Sequence, residues 1–216
     1  MKIKVCGMRQ QGNIEELVTL RPNFIGFIFY EKSPRFAGEE LNEEYIKTIP
    51  NDIKKVGVFV NANPGYILDM VKKYNLQYAQ LHGNEMPDIC RSLRQKGVSI
   101  IKAFSIDENF NFAMLNNYKS VCDLFLFDTK GDQPGGNGMP FDWKLLSKYD
   151  NEKPFFLSGG IGLDNIDDII ALSKKLPIYG IDVNSKFEVE PGLKDIPKLE
   201  ELFGLVRVQE QEEAEV

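Results

Sequence analysis

Residues 55–81 read KVGVFVNANPGYILDMVKKYNLQYAQL, and the pattern changes character twice within them. Residues 55–60 form a short run rich in Val and Phe, the composition of a strand. Asn63 precedes Pro64, which suits a first helical turn because its missing N–H would have no partner there anyway. Ile67, Leu68, Val71 and Leu76 then follow at approximately helical spacing, predicting a helix that continues to about Tyr74. A second strand-like run occupies 78–81. The stretch predicts a strand–helix–strand unit, whose two strands lie parallel in one sheet.

The same alternation runs through the whole chain. Strand-like runs fall at 3–5, 24–29, 55–60, 78–81, 99–104, 124–127, 155–157 and 180–183, and helical apolar spacing recurs at 41–49, 86–93, 166–172 and 199–205. Helices are expected in every gap between strands. Eight such units in 216 residues average about 27 residues, the compact end for a (β/α)8 TIM barrel, with little room for an inserted domain. The expected architecture is therefore an α/β protein with a single-domain barrel over residues 1–208. A short acidic tail, residues 209–216, should lie solvated and frayed beyond it. A doubly wound sheet is the alternative, but Cys6-Gly7-Met8-Arg9 after the first strand lacks a dinucleotide fingerprint.

Composition narrows the function classes. The net charge of -6 owes much to Glu210, Glu212, Glu213 and Glu215, so the body of the chain is close to neutral. It carries no basic footprint for nucleic acid. No run approaches the roughly 18 apolar residues of a membrane span, and Met1-Lys2-Ile3-Lys4 does not open a signal peptide, so a cytoplasmic protein is expected. Cys6, Cys90 and Cys122 are odd in number and widely spaced, which indicates free thiols rather than disulfides or zinc ligands. A monomer is the default expectation.

In a parallel barrel the carboxyl ends of all strands meet at one mouth. Cys6 follows the first strand, His82 the fourth, Asp128 the sixth, and Asp182 lies within the eighth. Cys6 alone would more often be a small buried hydrophobe. At a strand end, followed by Gly7, its thiolate could instead take a carbon-bound proton, given a stabilising positive environment. Asp128 could cap a helix or act as a general acid. Arg35, in Ser33-Pro34-Arg35-Phe36, could engage a substrate carboxylate or simply lie at the surface. His82, the only histidine, is as readily a packing or hydrogen-bonding residue as a base. Gly159-Gly160-Ile161-Gly162 and Asn184-Ser185 follow the last two strands, where barrels often bind phosphate through backbone N–H groups. Gly135-Gly136-Asn137-Gly138 could close over the same ligand. No metal-ligand set can be assembled at the mouth.

Taken in order, Lys4-Val5-Cys6-Gly7, Ser33-Pro34-Arg35, Val56-Gly57-Val58-Phe59, Gln80-Leu81-His82-Gly83, Asp128-Thr129, Phe141-Asp142-Trp143, Leu157-Ser158-Gly159-Gly160-Ile161, Asp182-Val183-Asn184-Ser185, and Glu188 followed by Pro191-Gly192-Leu193-Lys194-Asp195 resemble the phosphoribosylanthranilate isomerase family. The resemblance implies a (β/α)8 barrel of tryptophan biosynthesis. It implies an Amadori rearrangement of N-(5-phosphoribosyl)anthranilate to 1-(2-carboxyphenylamino)-1-deoxyribulose 5-phosphate, without cofactor or metal. By the same resemblance Asp128 is the general acid that opens the sugar ring and Cys6 the base that removes the C2 proton. Arg35, His82 and Asp182 line the substrate, while Gly136, Gly159, Gly160, Asn184 and Ser185 bind its phosphate. The chain departs from the usual family pattern at Asn137, Ser158 and Lys186, none of which removes the acid or the base. The competing expectations are another ribulose-phosphate barrel enzyme, such as indole-glycerol-phosphate synthase or a pentose-phosphate epimerase, and a noncatalytic sugar-phosphate-binding barrel. The first two would lead one to expect a lysine-based acid set or a metal-ligand set, neither of which is evident.

Overall fold

A strand buried on both faces reads as a continuous apolar run, because one side chain in two packs inside the barrel and the other against the helices. A computed structural model of the chain describes residues 1–38, 40–129 and 141–214. In it the eight runs form β1 (Lys2–Val5), β2 (Phe24–Ile28), β3 (Lys54–Phe59), β4 (Tyr78–Leu81), β5 (Ser99–Ile106), β6 (Leu124–Thr129), β7 (Phe155–Ser158) and β8 (Gly180–Val183). They close into one barrel in sequence order. The closing pair is parallel, with Lys4 opposite Asp182 and Val5 opposite Val183.

The period of two sorts the side chains. Phe24, Val56, Ile101, Ala103, Leu124, Leu126 and Phe156 form a cluster of their own; two residues further along their strands stand Val58, Asp128 and Ser158, and four beyond Phe24 stands Ile28, and all four line a cavity at the carboxyl end. The interior is thus an apolar plug below and a chamber of mixed polar and apolar lining above. The outward-facing residues, including Val5, Ile25, Phe27, Phe125, Phe127 and Ile181, join the larger core beneath the helices. Phe156 is fully buried in the plug, edge-on to Phe24 at 5.1 Å and to Tyr179 at 5.3 Å between ring centroids. Phe156→Ala should therefore cost about 3–5 kcal/mol of stability, read as a lowered urea midpoint at unchanged slope. A loss under about 1 kcal/mol would mean that this layer is not close-packed.

The outer ring is α1 (Gln11–Thr19), α2 (Glu43–Thr48), α3 (Pro64–Tyr74), α4 (Pro87–Gln95), α5 (Ile166–Ser173) and α6 (Ile196–Ala214). Asn63 caps α3 by accepting from the Gly65 N–H at 2.8 Å, with Pro64 in the first turn as the sequence suggests. The expectation of eight helices needs correction. After β5 and β6 the described connections carry short 3-10 helices instead, Phe112–Asn117 and Trp143–Lys148. Asn111 and Asp142 cap them by accepting the N–H groups of Ala113 and Lys144. Asn-rich flanks, Asn109 and Asn111 before the first and Asn116 and Asn117 at its end, favour turns and caps over a continued α-helix. An unexpected hairpin, β9 (Glu188–Glu190) with β10 (Leu193–Lys194), sits after β8. Helix α6 carries its backbone through Ala214, into the segment read from sequence as a frayed tail. Among the described residues no helix is long and apolar enough to cross a membrane.

Candidate active site

At the carboxyl end of the barrel a cavity of about 280 Å3 is lined by Cys6, Arg35, His82, Asp128, Gly159, Gly160, Asp182, Asn184 and Ser185. Nine of the ten residues singled out from sequence thus share one chamber. The tenth, Gly136, lies outside the described residues. Two glycine turns shape the wall of the chamber. Gly7 turns the chain just past Cys6 with φ of 77°, and a Cβ there would stand 2.7 Å from Asn184 Oδ1. Gly159 has φ of 89° and lets its backbone come so close to β6 that a Cβ would lie 2.8 Å from Asp128 Oδ1. Only glycine fits either position without strain.

Cys6, Asp128 and Asp182 are all buried. One Asp128 oxygen accepts from the Thr129 N–H at 2.9 Å. The other lies 3.2 Å from His82 Nε2, a contact without the alignment of a hydrogen bond. The Nδ1 edge of His82 meets the Gln80 side-chain amide at 3.1 Å, so the ring is braced from the strand below. Among the described residues no group of three or more His, Cys, Asp or Glu side chains is arranged to hold a metal ion.

Two lysines that sequence reading left without a role surround the thiol. Lys4 has no exposed surface and donates to Asp182 Oδ1 at 2.8 Å; its charge also acts on the Cys6 thiol. Burial works to lower the Lys4 ammonium, but Asp182 and Cys6 outweigh it and hold the group above the usual lysine range. Asp182 is pushed up, by burial first, with Lys4 pulling the other way. Burial also pushes the Cys6 thiol up, Lys4 and Lys194 draw it back, and Asp182 adds to the upward push. The only lexical hint of this in the sequence is a lysine two residues before Cys6 in an apolar run, on the same side of the strand.

Because the thiolate is the reactive form, these signs predict a pH profile. Carboxamidomethylation of Cys6, followed by mass spectrometry of its peptide, should keep accelerating beyond the pH at which a free cysteine levels off. Lys4→Met removes the stabilising cation and should move the midpoint higher; Asp182→Asn removes the opposing anion and should move it lower. One midpoint shared by all three proteins would contradict this electrostatic assignment.

Arg35 stands on the rim, and it is not idle there. Its Nε donates to Glu188 Oε1 and Oε2 at 3.0 and 2.9 Å, and its Nη2 to Oε2 at 2.7 Å. Glu188 also accepts from Lys194 Nζ at 2.6 Å and from the Gly192 N–H at 3.1 Å. Lys194 in turn donates to Asn184 Oδ1 at 2.7 Å. The rim guanidinium and the loop after β8 are tied into one network through the β9–β10 hairpin.

A closed parallel barrel that gathers a thiol, two carboxylates, a histidine and an arginine around one small chamber has the layout of a (β/α)8-barrel enzyme doing acid–base chemistry on a small molecule. Residues 3–204 match the family model described as N-(5'phosphoribosyl)anthranilate (PRA) isomerase. The chain is 48% identical over 202 residues to an N-(5'-phosphoribosyl)anthranilate isomerase from Parabacteroides distasonis, covering 92% of this chain and 90% of that protein. Among solved structures it is similar to the phosphoribosyl anthranilate isomerase of Thermus thermophilus, with a TM-score of 0.81, 25% identity and coverage of 96% and 99% of the two chains. A phosphoribosyl anthranilate isomerase in complex with reduced 1-(o-carboxyphenylamino)-1-deoxyribulose 5-phosphate aligns at a TM-score of 0.78 and 29% identity, over 94% and 96% of the chains. The chain belongs to the N-(5'-phosphoribosyl)anthranilate isomerase family.

Proposed function

We propose that this protein converts N-(5-phosphoribosyl)anthranilate to 1-(2-carboxyphenylamino)-1-deoxyribulose 5-phosphate, the isomerisation of tryptophan biosynthesis, with Asp128 as general acid and Cys6 as general base. The observation that carries the assignment of roles is that both groups, one just past β1 and the other at the end of the non-adjacent β6, open on the same 280 Å3 cavity. Asp128 gives its proton to the furanose ring oxygen as the C1–O bond breaks, and the nitrogen lone pair closes to a protonated Schiff base. That cation acidifies the neighbouring C2–H, so a thiolate suffices to remove it. The electron pair moves into the C1–C2 bond, giving an enolamine that tautomerises to the ketose. No atoms or electrons are exchanged with a second reactant, so the step needs no cofactor.

Binding follows the charges of the substrate. Arg35 takes the anthranilate carboxylate, His82 and Asp182 line the sugar, and the backbone of Gly159 and Gly160 with Asn184 and Ser185 receives the phosphate. Gly136 is proposed to join them. The working unit is a single chain, residues 1–208, since every group named comes from one barrel. A cytoplasmic setting belongs to the same reading, supported by three buried cysteines with no disulfide. The test is direct: purified protein added to phosphoribosylanthranilate, formed in place from ribose 5-phosphate and anthranilate, should extinguish the substrate fluorescence without added metal or nucleotide. Intact, folded protein that leaves the fluorescence unchanged would overturn the proposal.

A further inference from the structure

Arg35 has two edges with which to bind a carboxylate, and one is already taken. Its Nε and Nη2 face Glu188, in the two-point geometry that fixes both the distance and the plane of a guanidinium. Among the described residues Nη1 has no hydrogen-bond partner, while Arg35 itself lines the cavity. The remaining Nη1–Nη2 edge is the one left for a ligand. Glu188 is in turn immobilised, with its side chain 4% exposed and that of Lys194 fully buried. The Lys194 backbone is bound on both sides by the Asn13 side chain, its N–H donating to Oδ1 at 2.7 Å and its carbonyl accepting from Nδ2 at 3.0 Å. Burial would raise the Glu188 carboxyl, but Arg35 and Lys194 hold it below the usual carboxylate range, so it remains an anion. Two cations around one anion leave the cluster a single positive charge, matched to one incoming carboxylate.

We propose that Glu188 is a specificity-determining positioning residue: it locks one edge of the Arg35 guanidinium so that the other edge is held ready for the carboxylate of the aryl amine. The inference rests on the reading of Arg35 given above and extends it to a residue that does not itself meet the substrate. Without Glu188, Arg35 is a long side chain on a loop, free to turn toward water. The selectivity of the site for an ortho-carboxylate then falls, although the phosphate and sugar contacts persist.

The test compares two stable ligands, the reduced form of 1-(2-carboxyphenylamino)-1-deoxyribulose 5-phosphate and its phenylamino counterpart, which lacks only the carboxyl group. In Glu188→Gln the preference for the carboxylated ligand, taken as the ratio of the two Kd values by calorimetry, should drop by about tenfold to a hundredfold, almost wholly through weaker binding of that ligand. Glu188→Asp, which keeps the charge beside Lys194 but shortens the reach to Arg35, should give an intermediate ratio and serves if the Gln protein does not fold. In Arg35→Ala/Glu188→Gln the ratio should be no lower than in Arg35→Ala alone, because Glu188 acts through Arg35. Equal weakening of both ligands, a further fall in the double variant, or a higher preference in Glu188→Gln would each overturn the proposal. Wild-type protein that binds both ligands with no preference would overturn the role of Arg35 and this inference with it. Binding with the expected preference but without turnover would overturn only the catalytic reading.

Discussion

Asp128→Asn should lower kcat by about 10^2- to 10^4-fold, the range a positioned general acid contributes, with Kd for the reduced product changed by less than about threefold. Asparagine keeps the shape of the side chain and can still accept from the Thr129 N–H, as Asp128 does, so the chamber survives. What is lost is a transferable proton at the moment the ring C–O bond breaks. Stopped-flow single turnovers would separate this from a binding defect. Equal kcat in wild type and variant would remove Asp128 from the chemistry. Arg35 and the phosphate loops would still fix the ligand, which is why affinity and rate are expected to part.

Cys6→Ser should be nearly as severe, again about 10^2- to 10^4-fold in kcat, because a hydroxyl is far harder to ionise than a thiol in the same buried place. The two variants can be told apart by isotope. With substrate deuterated at C2, the Cys6 variant should show a full primary isotope effect, since proton removal has become the slow step. In Asp128→Asn ring opening is slow, so the isotope effect should shrink toward unity. If the patterns were reversed, the two roles would have to be exchanged.

Much of this was legible in residue order because the barrel strands announce themselves locally. β3, α3 and β4 could be read from one stretch of 27 letters, since burial on both faces makes the strands apolar throughout and Asn63-Pro64 marks the helix start. Cys6 and Asp128 were found by the same rule, as reactive groups at strand ends. The two 3-10 helices escaped because their short, Asn-flanked sequences carry too few residues for an amphipathic period to register. Lys4 and Glu188 stand in the motifs that carry the family resemblance, but their roles escaped for a different reason. Lys4 acquires its meaning only when β1 pairs with β8 and brings Asp182 within 2.8 Å, and Glu188 only when the hairpin after β8 folds back to Arg35 from far along the chain. No local window contains both partners of either pair. Signatures of that kind are tertiary facts, and a single sequence offers only an oddly placed charge as a clue.

The most direct measurement is a crystal structure of this protein with the reduced 1-(2-carboxyphenylamino)-1-deoxyribulose 5-phosphate bound. The sulfur of Cys6 should lie about 3–4 Å from C2 and the Asp128 carboxyl within hydrogen-bonding distance of the former ring oxygen, as groups poised to exchange protons must. A ligand seated in the cavity with either atom more than about 6 Å from its target would contradict the assignment of acid and base.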